Sequence, residues 1–302
     1  MLRGLYSAAS GMVTQQRKHD TASVNMANQH TPGFKEGVTV SRSFPEMMLA
    51  LASANEPGGS TQIGPLHTGV MAEETMYPVL QGDLRETGKW TDFAITSHIQ
   101  VPQNIGGEQV AVPFDASGTY VGADGETMYQ PQAFFTVLTD QDDLLFTRNG
   151  QFTVNEAGEL LTLNGQRVLG RGEEPIVLEI DEAHVRVNER GELVHLATGQ
   201  AVMDASGEPI ALLISEVDNP YDLIREGNGL LRLEDRELNS RPLSDPSGVR
   251  ISQGYVEQSN VDSIRTMTNM MTALRAYESN LKVVQFYDQT LDQAVNEVGR
   301  IN

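Results

Sequence analysis

Cysteine is absent from the 302-residue chain, which excludes disulfide staples, thiolate nucleophiles and cysteine-ligated zinc. Tryptophan occurs once, at Trp90, close to Phe93, and buried packing is the reading for its ring. No apolar run approaches the roughly 20 residues that span a bilayer, so no membrane insertion is expected. The opening Met1-Leu2-Arg3-Gly4-Leu5 lacks the continuous apolar core of a secretory leader.

Positive charge is also scarce. Lys and Arg number 21 against 41 Asp and Glu, a net charge of -20, so phosphate repulsion opposes a nucleic-acid partner. Residues 1–30 carry a net +2 and residues 255–302 a net -2, which leaves the whole excess in the middle of the chain. That excess reads as a solvated surface.

Catalytic and cofactor signatures are missing as well. His19, His30, His67, His98, His184 and His195 are scattered, and no pair has the i, i+4 spacing of a helical zinc site. The acidic runs Asp140-Gln141-Asp142-Asp143 and Asp181-Glu182 lack the alternating ligands, central Gly and closing Glu of a calcium loop, and read as hairpin turns. There is no phosphate loop, nucleophile elbow or dinucleotide fingerprint. The expectation is a protein that is not an enzyme and needs no metal and no cofactor.

Apolar periodicity is strongest in the last fifth of the chain. Ile264, Met267, Met271, Leu274, Tyr277, Leu281, Val284, Tyr287, Leu291, Val295 and Val298 recur three or four apart, a single helical stripe. Ser259, Asn260 and Asp262 supply caps before it. A long helix with one stripe requires a partner. Residues 2–28, with Leu2, Leu5, Ala9, Met12 and Gln16 at matching spacing, are the predicted one, stopped at Asn28-Gln29-His30-Thr31-Pro32-Gly33-Phe34 because Pro32 disfavours a helical Thr31 and Gly33 tolerates positive φ.

Between these helices, residues 31–96 read as an extended arm with a short helix around Glu46–Ala52. From Phe134 onward, alternating segments separated by Asn149-Gly150, Ala157-Gly158, Asn164-Gly165 and Arg190-Gly191 predict a meander of hairpins. Val154-Asn155-Glu156-Ala157-Gly158-Glu159-Leu160 recurs 33 residues later from Val187 to Leu193, which predicts two similar hairpins. The expected class is mainly β with α, a β-rich central domain of hairpins with N- and C-terminal helices pairing as a coiled-coil-like stalk. The expected organisation is residues 1–30 plus 255–302 as an assembly domain, 31–96 plus 241–254 as an arm, and 97–240 as the β-rich domain.

Particular stretches carry a family resemblance. Leu5-Tyr6-Ser7-Ala8-Ala9-Ser10-Gly11-Met12-Val13, Asn25-Met26-Ala27-Asn28 and Thr31-Pro32-Gly33-Phe34-Lys35 resemble the opening signature of the flagellar rod, hook and basal-body family. Gly254-Tyr255-Val256-Glu257-Gln258-Ser259-Asn260-Val261 with Arg275-Ala276-Tyr277-Glu278 resembles its closing one, and Phe146-Thr147-Arg148-Asn149-Gly150-Gln151-Phe152 its β-domain motif. Ser43–Leu49 and Ile63–Leu66 are most similar to hook-basal body rod proteins of Gram-positive bacteria. Departures are Val24, Gln29-His30, Leu274, and residues 97–132, which stand where the family has a short link and read as an insertion.

The resemblance implies a structural subunit of the basal-body rod, exported by the flagellar type III apparatus without leader cleavage and polymerised into the axial shaft. Its implied partners are further copies of itself, other rod and hook proteins, and the export apparatus. The assembly seam is expected at Leu2, Leu5, Ala9, Met12, Ile264, Met267, Met271, Leu274, Tyr277, Leu281, Val284, Leu291 and Val295, and the helix-end turn at Asn25, Asn28, Thr31, Pro32, Gly33 and Phe34. A hook-type or scaffold member would share these signatures. An exported peptidoglycan-acting enzyme would need a cleft near residues 97–132, where the sequence offers no nucleophile or metal set.

Overall fold

The computed structural model describes residues 2–44, 47–52, 60–66, 69–105, 108–115, 117–122, 125–178, 185–188, 191–196, 198–203, 207–234, 239–243 and 248–298. The chain divides into two compact units, one of residues 1–27, 37–76 and 262–302, the other of residues 28–36 and 77–261.

The first unit contains α1 (Leu2–Ala27), α2 (Ser263–Gln293) and four strands, β1 (Val38–Ser43), β2 (Met47–Ala52), β3 (Ser60–Leu66) and β4 (Val70–Met76). Asp262 caps α2, its carboxylate accepting from the amides of Ile264 and Arg265, and a π-helical turn at Ala294–Val298 follows the helix. β1 pairs antiparallel with β4, and β2 with β3, so these four strands form two antiparallel ribbons. Met47–Ala52, where the sequence predicted a short helix, is strand β2. Its apolar run is short enough for either state, and pairing with β3 decides it.

The ribbon packs on α1. Arg17 donates to the carbonyl of Ala72 at 3.2 Å, the amide of Val70 donates to Ser10 Oγ at 3.3 Å, and the Thr21 and Thr39 hydroxyls lie 2.6 Å apart. Asn25 closes the return, its amide donating to the Gly37 carbonyl and its Oδ1 accepting from the Gly37 amide.

The second unit is β-rich. β5 (Leu84–Glu86) and β6 (Phe93–Ser97) lead into two hairpins, β7 (Pro102–Ile105) with β8 (Glu108–Ala111) and β9 (Thr119–Val121) with β10 (Thr127–Tyr129). These hairpins occupy the predicted insertion. The Tyr129 ring lies 5.1 Å from that of Tyr221, whose hydroxyl donates to the Ser117 carbonyl. Asp115 shapes the preceding turn, and hydrogen bonds from the Ser117 hydroxyl and then the Thr119 amide hold its carboxyl down at about 2.

A nine-stranded sheet forms the body. β11 (Gln132–Leu138) lies inside it, bonded to β12 (Leu144–Thr147), β15 (Arg167–Val168) and β18 (Ile214–Val217). β13 (Phe152–Val154) and β14 (Leu160–Thr162) extend one side. The separate hairpin β16 (Val185–Val187) with β17 (Leu193–His195) follows. β19 (Leu223–Gly227), β20 (Leu230–Leu233) and β21 (Ser240–Pro242) complete the sheet, while β22 (Val249–Gln253) pairs β6 and β23 (Tyr255–Glu257) pairs β5. Phe93, Ile95, Phe135, Phe152, Leu160 and Ile214 pack in its main core. Asp140–Asp143 is the β11–β12 turn, as the sequence predicted.

The repeat is realised as the same turn twice. Asn155 and Asn188 each donate to a carboxylate four residues on, Glu159 at 2.7 Å and Glu192 at 2.8 Å, and Gly158 and Gly191 take φ of 82° and 81°. The correspondence continues further, because the Leu160 amide donates to the Ile176 carbonyl and the Leu193 amide to that of Ile210. Both acceptors follow a Pro that forms an isolated bridge to an earlier residue, Leu169↔Pro175 and Met203↔Pro209.

Candidate assembly surface

In the first unit, α1 and α2 run antiparallel in close contact. A Cβ on Gly4 would overlap the Tyr287 phenol, and one on Gly11 would stand 2.9 Å from Asn280 Nδ2, so these glycines permit the approach. The same register sets Asn25 opposite Thr266. On α1 the inward positions are Gly4, Ala8, Gly11, Gln15, Lys18, Ala22 and Asn25. On α2 they are Thr266, Met270, Ala273, Tyr277, Asn280, Val284, Tyr287 and Leu291, and all are buried or half-buried. Both sets alternate steps of three and four, the spacing that keeps two helices in contact.

The stripe read from the sequence therefore divides. Tyr277, Val284 and Leu291 face α1 and are half-buried. Ile264, Met267, Met271 and Leu274 stay 82%, 51%, 43% and 46% exposed, and Val295 is 71% exposed. Leu5, Met12 and Leu281 are half-buried on the same flank, because each follows an inward position by one residue and antiparallel helices turn equivalent flanks to the same side. Ala9 is exposed, and its predecessor Ala8 is the buried one. The side chain of Leu2 lies outside the described residues. The β1–β4 ribbon covers the other flank of α1, where Thr14 is buried.

The second unit holds a buried charge cluster that sequence reasoning missed. Lys35 Nζ donates to Glu257 Oε1 and, at 2.6 Å, to the Leu80 carbonyl. Glu257 Oε1 also accepts from the Gly82 amide at 2.8 Å, and Arg148 Nη1 lies 3.7 Å from Glu257 Oε2. All three side chains are nearly inaccessible. Arg148 is positioned by Ile95, Ser97 and Gln132, to which it donates, and lies 5.4 Å over the Phe134 ring.

Burial pushes the Lys35 amine down to about 8, although the Glu257 carboxylate opposes the shift. The same desolvation lowers Arg148 against the pull of Glu257. Two cations thus share one buried anion.

This cluster fastens the helix-end turn. Thr31 closes on Asn28, Gly33 adopts φ of 70° as predicted, and the Gly33 amide donates to the Glu257 carbonyl at 2.8 Å. The Asn260 amide donates to the Phe34 carbonyl, and the Glu36 amide to Asn260 Oδ1. Arg225 lies between two rings, 4.4 Å from the centroid of Phe34 and 3.7 Å from that of Tyr77. Residues 33–36 and 257–260 are thereby joined side by side. A signal existed in the sequence, since Lys35, Arg148 and Glu257 each stand beside Phe34, Thr147 or Val256 inside short motifs, but charge alone gave no reason to place them indoors.

Among the described residues, no three His, Asp or Glu side chains converge to hold a metal ion, and no helix is long and apolar enough to cross a membrane. His195 sits half-buried on β17, and His184 lies outside the described residues.

Comparison with known proteins decides the family. Residues 5–35 match the flagella basal body rod protein model, 130–195 the flagellar hook protein FlgE/F/G D1 domain, and 252–297 the flagellar basal body rod FlgEFG protein C-terminal model. The chain is 33% identical to the flagellar hook-basal body complex protein FlhO of Bacillus subtilis, over 100% of both chains. It belongs to the flagellar basal-body rod and hook family. It is also similar to the rod protein FlgG of Borreliella burgdorferi, at 29% identity over 98% of each chain, and to FlgF of Mesorhizobium japonicum, at 26% over 99% of each. This family member is a structural component of the flagellum and not an enzyme.

Proposed function

We propose that this family member is a subunit of the basal-body rod, exported by the flagellar type III apparatus and polymerised with its own copies and other axial proteins into the shaft between motor and hook. The observation that carries the proposal is the row Ile264, Met267, Met271 and Leu274, apolar and exposed on a flank of a helix whose inward side is already covered by α1. Contiguous exposed apolar residues mark interaction surfaces. Large side chains at this row contribute little to the monomer, so burial against neighbours supplies their stabilisation. The paired helices then act as a coiled-coil-like assembly element.

The test is the content of purified hook-basal bodies from cells expressing wild type, Leu274→Asp, or a chain ending at Asp262. Ending at Asp262 removes α2 and leaves Glu257 with its cations. Wild type should co-purify with the particle, and both altered chains should be exported yet depleted from it by about tenfold or more. Absence of wild type from the particle would sink the rod reading and favour a scaffold role. A copy number matching the hook instead of the rod would make it a hook-type member.

A further inference from the structure

Three Asn-Gly pairs occur in the β unit, Asn149-Gly150, Asn164-Gly165 and Asn228-Gly229. In such a pair the glycine puts no side chain beside the main-chain nitrogen that follows the carboxamide, so that nitrogen has a clear path to the Asn Cγ. The residue order gives all three pairs the same chemistry. The fold separates them, because a hydrogen bond held by the carboxamide or by the glycine amide must break before the two can meet.

At the first pair, Asn149 Oδ1 accepts from the Gln151 amide at 3.0 Å, and Gly150 is buried so tightly that a Cβ would stand 1.7 Å from the Phe93 carbonyl oxygen. At the second, Asn164 is exposed, but its Nδ2 donates to the Asn228 carbonyl at 3.2 Å and the Gly165 amide donates to the Thr162 carbonyl at 3.0 Å. The third pair carries neither restraint. β19 and β20 close with Gly227 opposite Leu230, which makes Asn228 and Gly229 the central residues of a two-residue turn, with φ of 53° and 76°. Both are exposed. Among the described residues the turn is fastened through its carbonyls, that of Asn228 by Asn164 and that of Gly229 by the Thr147 hydroxyl at 3.0 Å, while no hydrogen bond engages the Asn228 carboxamide or the Gly229 amide.

We propose that Asn228 is a site of spontaneous covalent modification, deamidation by its own main chain. The Gly229 nitrogen bonds to Asn228 Cγ as the Cγ–Nδ2 bond breaks, and the Gly229 amide proton departs with Nδ2 as ammonia. The succinimide so formed takes up one water and opens at either carbonyl, to aspartate or to isoaspartate. Each event makes the chain one charge more negative, two residues from the Glu226 carboxylate that pairs with Arg232. Isoaspartate also routes the main chain through Cβ, which lengthens a turn of only two residues. The site is independent of the subunit reading above.

The experiment holds full-length protein in mildly alkaline buffer made with heavy-oxygen water, in one sample folded and in another unfolded by urea, until the unfolded sample has converted. Peptide sequencing by mass spectrometry then locates the incorporated oxygen at each Asn. In the folded sample Asn228 should convert first, with isoaspartate among its products. Asn164 should follow about five- to tenfold more slowly, the factor that one lost hydrogen bond contributes, and Asn149 more slowly still. In urea the three rates should converge, since only the fold distinguishes them.

Folded protein that keeps its Asn228 amide while the unfolded chain loses it would overturn the proposal. So would Asn149 or Asn164 converting as fast as Asn228 in the folded sample. Aspartate without isoaspartate would mean direct hydrolysis of the side chain, and the main-chain route would then be wrong.

Discussion

Glu257→Gln is expected to destabilise the β unit by about 3–5 kcal/mol, because it leaves Lys35 and Arg148 buried without an anion. Lys35→Met should cost markedly less, since Arg148 and Glu257 then remain as a balanced pair. Urea unfolding of the two variants checks the asymmetry, and equal losses would contradict the account of two cations sharing one carboxylate. The pH dependence has a definite sign. The Lys35 amine titrates at about 8 when folded and at its ordinary 10.5 when unfolded. Below pH 8 both states hold the proton and the burial penalty is complete. Between those values the unfolded chain binds a proton that the folded chain has released, so stability should rise with pH, by about 3 kcal/mol across the window. Lys35→Met should lack this rise.

Phe135→Ala is the other large effect expected, a loss of about 3–5 kcal/mol measured by the same unfolding. Phe135 is fully buried on β11, and its ring meets that of Phe152 edge-on at 5.2 Å. β11 is bonded to β12, β15 and β18, so the void opens where several strands depend on one side chain and collapse is resisted. A loss below about 1 kcal/mol would show that the sheet can close over the space.

Much of the fold is legible from residue order because its determinants are local. Asn155 and Asn188 close turns with partners four residues away, and Asp262 caps α2 from directly before it. Periodicity in the second helix marks real surface, but it cannot say which neighbour covers it. Large side chains at Ile264, Met267 and Leu274 dominate the pattern, whereas close helix contact selects Gly4, Ala8, Gly11 and Ala273 for their smallness. Small residues barely register in a hydrophobic count, so the inward face was the quieter one. The charge cluster is hidden for the opposite reason, because its partners are joined only by the folded chain. Residues 47–52 fit helix or strand equally until β3 is alongside.

The Lys35–Glu257 pair spans 222 positions of sequence, which gives the protein a built-in order of events in time. Translation at roughly 5–20 residues per second separates Arg148 from Glu257 by about 5 to 20 s, during which the guanidinium has no carboxylate to enter the interior with. A chain interrupted anywhere before Glu257 is therefore held short of its final form, and completion of the body is a signal that synthesis has passed Glu257.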